Sequence, residues 1–123
     1  MLYAVLCYND EKAVGAWTQE EDDACMARLD KVQSAMKAKG KLGPVARLLP
    51  TTAATTLRKS SGEPVIIDGP FAETKEQFLG FYLVDCETLE EAIAFAKDLS
   101  AANPGPGGYE IRPVGLFHPS DIG

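Results

Sequence analysis

The chain has 123 residues, 46% of them hydrophobic and 24% charged, which fits one ordinary globular domain over residues 1–123 and leaves no room for a second core. Its formal net charge of −6 comes without any cluster of Lys and Arg, so neither nucleic acid nor an anionic membrane is expected as a partner. No apolar run approaches the ~20 residues of a membrane helix, Met1-Leu2-Tyr3 lacks the basic start of a signal peptide, and a cytoplasmic protein is expected.

The first strand is expected over Leu2 to Tyr8, closed by a turn at Asn9-Asp10. Thr18 and Glu21 have the spacing of a capping box, and Cys25, Leu29, Val32 and Met36 then make one apolar stripe at helical period. Gly40 stops that helix, with Lys37 and Lys39 suited to the negative end of its dipole. A strand is expected from Val45 to Leu49. The Thr-rich stretch Thr51 to Lys59 and the short buried strand Pro64-Val65-Ile66-Ile67 form a hairpin around Ser60-Ser61-Gly62. Asp68-Gly69-Pro70-Phe71 breaks the hairpin, and Ala72 to Gln77 reads as a short polar helical connector. Phe78 to Asp85 is the most apolar strand. A second capping box, Thr88 with Glu91, opens a helix with the stripe Leu89, Ala92, Ile93, Ala96 and Leu99. The Pro/Gly cluster from Asn103 to Gly108 leads to a last strand from Tyr109 to Phe117 and a Pro-containing tail.

This order is an α+β, ferredoxin-like βαββαβ plan with an antiparallel sheet and one additional short strand. Right-handed crossovers put both helices on one face. Yet Leu2, Ala4 and Leu6 alternate with Tyr3, Val5 and Cys7, and Leu79, Phe81 and Leu83 alternate with Tyr82 and Val84, so both faces are apolar. An antiparallel sheet with one wet face should alternate apolar with polar. A bare apolar face is rare on a soluble monomer, and a second copy is the simplest cover: a homodimer is expected.

The run from Asp68 to Asp85, DGPFAETKEQFLGFYLVD, resembles the signature of the DGPF subset of YCII-related proteins. Ala54-Thr55-Thr56-Leu57-Arg58, Leu89-Glu90-Glu91-Ala92 and Glu110-Ile111-Arg112-Pro113-Val114 extend the resemblance over nearly the whole chain. It implies a bacterial protein and a dimeric α+β barrel, two ferredoxin-like sheets packed around a cavity. It also implies small-molecule lyases and monooxygenases as relatives on one scaffold, and for some members a link to extracytoplasmic-function sigma factors. One departure bears on chemistry. The YCII branch pairs a His of the first helix with an Asp near the end of the second. Here Gln19 to Lys39 holds no His, the one His being His118, so that dyad does not carry over.

The loop Asp68-Gly69-Pro70-Phe71 is the leading candidate for chemistry. Gly69 allows a positive φ and Pro70 sets the next one, so a carboxylate can be held at a set position. Asp68 at a barrel mouth could act as a base, with Lys75 lowering its pKa or holding an anionic group. The same residues also fit an Asx-turn followed by a solvated turn of Glu73, Lys75 and Glu76. Phe71 and Glu73 of the loop, with Tyr8, Tyr82 and Arg112 of the strands, are the candidate ligand-binding side chains. The strand aromatics equally suit plain packing, and Glu110 could pair with Arg112. Cys7, Cys25 and Cys86 form no metal spacing and are expected as free thiols. No phosphate-binding glycine motif or zinc pattern is present, so no cofactor is expected, a carboxylate-only cation site at Asp68, Glu73 and Glu76 being the remaining metal option. Three functions stay open: a cofactor-independent lyase or isomerase using Asp68 for proton transfer, a non-catalytic module sensing a small molecule, and a protein-interaction module in sigma-factor regulation.

Overall fold

A computed structural model describes residues 1–119; residues 120–123 lie outside the described residues. In chain order the elements are β1 (Leu2–Asn9), α1 (Glu11–Gly15), α2 (Gln19–Ala38), β2 (Leu42–Arg47), a 3-10 turn (Thr51–Ala53), β3 (Thr55–Arg58), β4 (Val65–Asp68), β5 (Gln77–Asp85), α3 (Leu89–Ala102) and β6 (Gly108–Pro113). The capping box of α2 is present: Thr18 accepts from the Glu21 N–H while the Glu21 carboxylate accepts from the Thr18 N–H. Gly40, at φ 71°, ends the helix in the left-handed region where a side chain would be strained. At α3 the box is only half made. Thr88 accepts from the Glu91 N–H, but the Glu91 carboxylate turns to the Glu87 N–H and to Lys41.

Strands β2, β5, β1 and β6 form one antiparallel sheet in that order, the arrangement of a ferredoxin-like plan. The β1–β5 register brings Val5 opposite Tyr82 and Tyr3 opposite Val84. These four face α2 and α3 and form the core with Met36, Phe95 and Leu99. Leu99, Val5 and Val84 are fully buried, each contributing ~1.5–3 kcal/mol by leaving water. In α3 the buried stripe is Ala92, Phe95, Ala96, Leu99 and Ala102, while Leu89 and Ile93 lie toward solvent. The helix is rotated from the expected stripe because Phe95 buries more surface against Tyr82 than Ile93 could.

The opposite sheet face carries Leu2, Ala4 and Leu6 of β1 and Phe81 and Leu83 of β5, all half-buried. The apolar second face expected from the strands is therefore real. In this chain alone the sheet is open, with no closed barrel.

The β3–β4 hairpin is inserted between β2 and β5 as its own two-stranded sheet. The expected burial of the second hairpin strand does not hold: Val65, Ile66, Ile67 and Asp68 are all exposed, as is Leu57. The hairpin stands off the four-stranded sheet, so its apolar side chains meet no core. Residues 72–76 form bends and irregular backbone rather than the expected helical connector, and Gln77 already opens β5. The Thr74 hydroxyl donates to the Glu76 carbonyl and the Gln77 side chain to the Thr74 carbonyl, local bonds that compete with a helix. The first strand leads instead into a short helix, α1, capped by Asp10 accepting from the Lys12 N–H.

Candidate functional site

Between α2 and the sheet lies a half-enclosed cavity of about 180 Å³. Cys25 and Leu29 of α2 face Cys7 of β1 and Gly80 of β5 across it. Three of these four residues are small, so two packed elements leave a space between them. Gly80 is required for a further reason. A Cβ at this position would run into the Ala46 carbonyl oxygen of β2, so the strands approach closely only if it is glycine. The back wall is tied down by Arg28, whose Nε donates to the Ala102 carbonyl at 2.8 Å, and by the Cys25 thiol, 3.6 Å from Asn103 Oδ1.

Inside its mouth, the polar side chains of this cavity are Cys7, Cys25, Gln33, Tyr82, Asn103 and Tyr109, none of them charged at neutral pH. Burial pushes the Cys7 thiol up to about 12. Burial also raises the Tyr82 hydroxyl to about 12, with neighbouring Cys7 and Tyr109 adding to it and the Gln33 side chain acting against it. Tyr109 is raised by burial too, opposed by Asn103, and Cys25 is raised by burial against the pull of Arg28. The cavity thus offers two phenols, two thiols and two amides as hydrogen-bond partners on an otherwise apolar wall. At its mouth stand Asp22, Arg47 and Trp17, which also line a second depression of about 480 Å³ running out along Leu48, Leu49 and Pro50.

The Asp68 loop lies elsewhere. With Asp10, Glu11, Lys12, Glu73 and Lys75 it borders a broad, shallow depression. Asp68 and Lys75 share this depression but make no ion pair among the described residues. Phe71 does not plug into the core. Its ring is 67% exposed and lies under the Arg58 guanidinium, 4.4 Å from the ring centre, while Arg58 Nη2 donates to the Phe71 carbonyl at 2.7 Å. Thr56 Oγ1 donates to the Gly69 carbonyl at 2.8 Å, and Gly69 has φ 115°. The loop is therefore fastened to the hairpin, which itself stands off the sheet, and this leaves the Phe71 ring in solvent.

Tyr8 and Arg112 occupy a third place, the open sheet face. Tyr8 packs on Phe78, with ring centres 5.6 Å apart, and its hydroxyl donates to Glu110 Oε1 at 3.2 Å. Glu110 and Arg112 stand opposite Leu6 and Ala4 on the same face. Of the predicted site residues only Tyr82 reaches the cavity; Asp68, Lys75, Phe71 and Glu73 stay with the loop.

Sequence reasoning missed Trp17, Gln33, Arg47 and Asn103 as cavity residues. Gln33 is the one visible signal, a polar side chain next to the apolar stripe of α2. The others converge only because β5 and β2 pair and α3 ends beside α2.

A model of the YCII-related domain matches residues 1–118. An uncharacterized protein of Rhizobium meliloti (strain 1021) is 62% identical over 122 residues, covering 99% of this chain and 98% of the relative. With an antiparallel α+β domain of this topology and a match over nearly its whole length, the chain belongs to the YCII-related family.

Proposed function

We propose that this protein binds a small organic molecule in the cavity between α2 and the sheet. The observation that carries the reading is the joining of an apolar, half-enclosed space to convergent uncharged polar groups, the composition of ligand pockets in general. A space of this size suits a single ring: an apolar cavity on the order of 150 Å³ accepts benzene. The raised thiols and phenols keep their protons, so at neutral pH they act as donors rather than bases. Binding without turnover, a sensing role, follows more directly than proton transfer. The test is Leu29→Trp, which fills the cavity. Binding of small ring compounds, followed by ligand-observed NMR, should be abolished while circular dichroism is unchanged. Binding that survives the substitution would place the site elsewhere.

The assembly we infer is a homodimer of the DGPF type, a dimeric barrel closed over the open sheet face. Tyr8, Glu110 and Arg112 would then lie in the interface. The second functional reading is a lyase or isomerase working through Asp68, with Lys75 beside it and Phe71 and Glu73 contacting ligand. It is favoured by the positive-φ Gly69 and the bonds from Thr56 and Arg58 that hold the loop's backbone. Asp68→Asn, which removes the charge and keeps the shape, should abolish any turnover without changing stability. Turnover equal to the parent's would remove Asp68 from the chemistry. The exposed Leu57, Ile66 and Ile67 of the hairpin favour a third role, a protein contact of the kind sigma-factor regulation would need.

A further inference from the structure

We propose that the mouth of this cavity recognises a zwitterion, so that its ligand is an α-amino acid carrying one apolar ring. The inference rests on the cavity reading above and adds the ligand class. The cavity and the outer depression meet at Val14, Trp17, Asp22, Arg47 and Leu79. Asp22, in the first turn of α2, is half-buried there, and Arg47 closes β2 from the other side. They are opposite charges at one opening that do not close on each other. Among the described residues the ion pairs are Met1 with Asp85 and Lys41 with Glu91. The contact described for the Arg47 guanidinium is to the Met26 sulfur at 3.5 Å, which satisfies a cation poorly. Arg28, by contrast, is spent on the Ala102 carbonyl.

A guanidinium without a carboxylate partner presents a planar fork that matches a carboxylate in two bonds. A carboxylate without a cation partner accepts from an ammonium. A guest with both groups on one carbon satisfies both residues at once, and its side chain then points inward. The cavity of about 180 Å³ admits one ring, and the neutral Tyr82, Tyr109, Gln33 and Asn103 groups tolerate a ring hydroxyl but offer nothing to a buried charge. The guest's zero net charge also suits a chain carrying −6, whose field would weaken binding of a plain anion.

The experiment titrates the full chain with L-phenylalanine, L-tyrosine, 3-phenylpropionate, 2-phenylethylamine and phenol. Binding is read by calorimetry and by fluorescence of Trp17, the one tryptophan. The amino acids should bind about tenfold or more tighter than either singly charged analogue, the value of one charge-assisted hydrogen bond. Arg47→Gln should weaken the amino acids and phenylpropionate but not the amine. Asp22→Asn should weaken the amino acids and the amine but not phenylpropionate. Leu29→Trp should abolish binding of all five. If phenol or a singly charged analogue binds as tightly as phenylalanine and Leu29→Trp still blocks it, the zwitterion proposal is overturned while the cavity reading stands. If none of the five binds, both are overturned.

Discussion

Cys7 and Tyr82 show how burial sets chemical behaviour one side chain at a time. Each sits on the helix side of the sheet, and each is pushed up to about 12 from ordinary values of 9.0 and 10.0, chiefly by loss of water. The folded protein therefore holds these protons more tightly than the unfolded chain does. Where the unfolded state has released a proton that the folded state still binds, stability falls as pH rises. The stability tied to these two groups is complete below pH 9 and is lost progressively as pH climbs through about 12. Urea midpoints measured across pH 7 to pH 11 should stay level at first and then decline. Tyr82→Phe should shrink the decline by removing one of the two groups. A midpoint that rises in alkali would contradict the burial of both.

The hairpin of β3 and β4 is the element whose sequence and setting disagree most. Its residues have the alternation and branching of a strand, and they do pair, Thr56 with Ile67 and Leu57 with Ile66. What the hairpin lacks is a face to pack on, and a lone two-stranded ribbon is marginal in water. Its ties to the rest of the chain run through the loop ends. Thr51, just ahead of β3, donates through its N–H at 2.8 Å and its hydroxyl at 2.7 Å to the Glu11 carboxylate, while the Gly69 N–H donating to the Ala54 carbonyl at 2.8 Å only closes the base of the hairpin on itself. Limited proteolysis of the free protein should therefore cut first at the exposed Ser60-Ser61-Gly62 turn and leave the four-stranded sheet and its helices intact. Mass spectrometry of the fragments checks this. Protection of the turn in the assembled protein would mean that a partner covers it.

At the scale of the molecule, the open sheet face dominates. One face of β1 and β5 is covered by α2 and α3; the other carries Leu2, Leu6, Phe81 and Leu83, half-buried, with no helix of the described residues packed on it. A homodimer through this face should bury on the order of 1,600 Å² in total, the size of stable interfaces. Light scattering at micromolar concentration should give twice the 13.2 kDa chain mass. Leu83→Glu places a charge at the centre of that face and away from the helices. It should return the protein to monomer and keep its far-ultraviolet spectrum, since an unpaired charge is costly in a buried interface but tolerated in water. A Leu83→Glu protein that remains dimeric would move the interface elsewhere.

Local rules were enough to place the capped start of α2, its stop at Gly40, the pairing of the hairpin and the two-faced apolar strands. Each depends on neighbours a few residues apart, or on a periodicity of two or 3.6. From these, together with right-handed crossovers, came the order of the four sheet strands, the hairpin and the two long helices, but not the short helix α1, and with a helical connector before β5 that the structure does not have. The functional residues were less legible. Asp68 drew attention because glycine and proline mark a constrained turn in any context, but a turn's rigidity does not say whether it faces a cavity or solvent. The cavity depends on Gly80 admitting β2 close to β5, on a register shift beside Cys7 in β1, and on the end of α3 meeting α2 at Arg28. Those contacts join residues far apart in the chain, such as Cys25 and Asn103, and no spacing records them. Burial then turned ordinary tyrosines and cysteines into a neutral lining. Tertiary packing alone decided this, because a pKa and a cavity wall both depend on which atoms replace water.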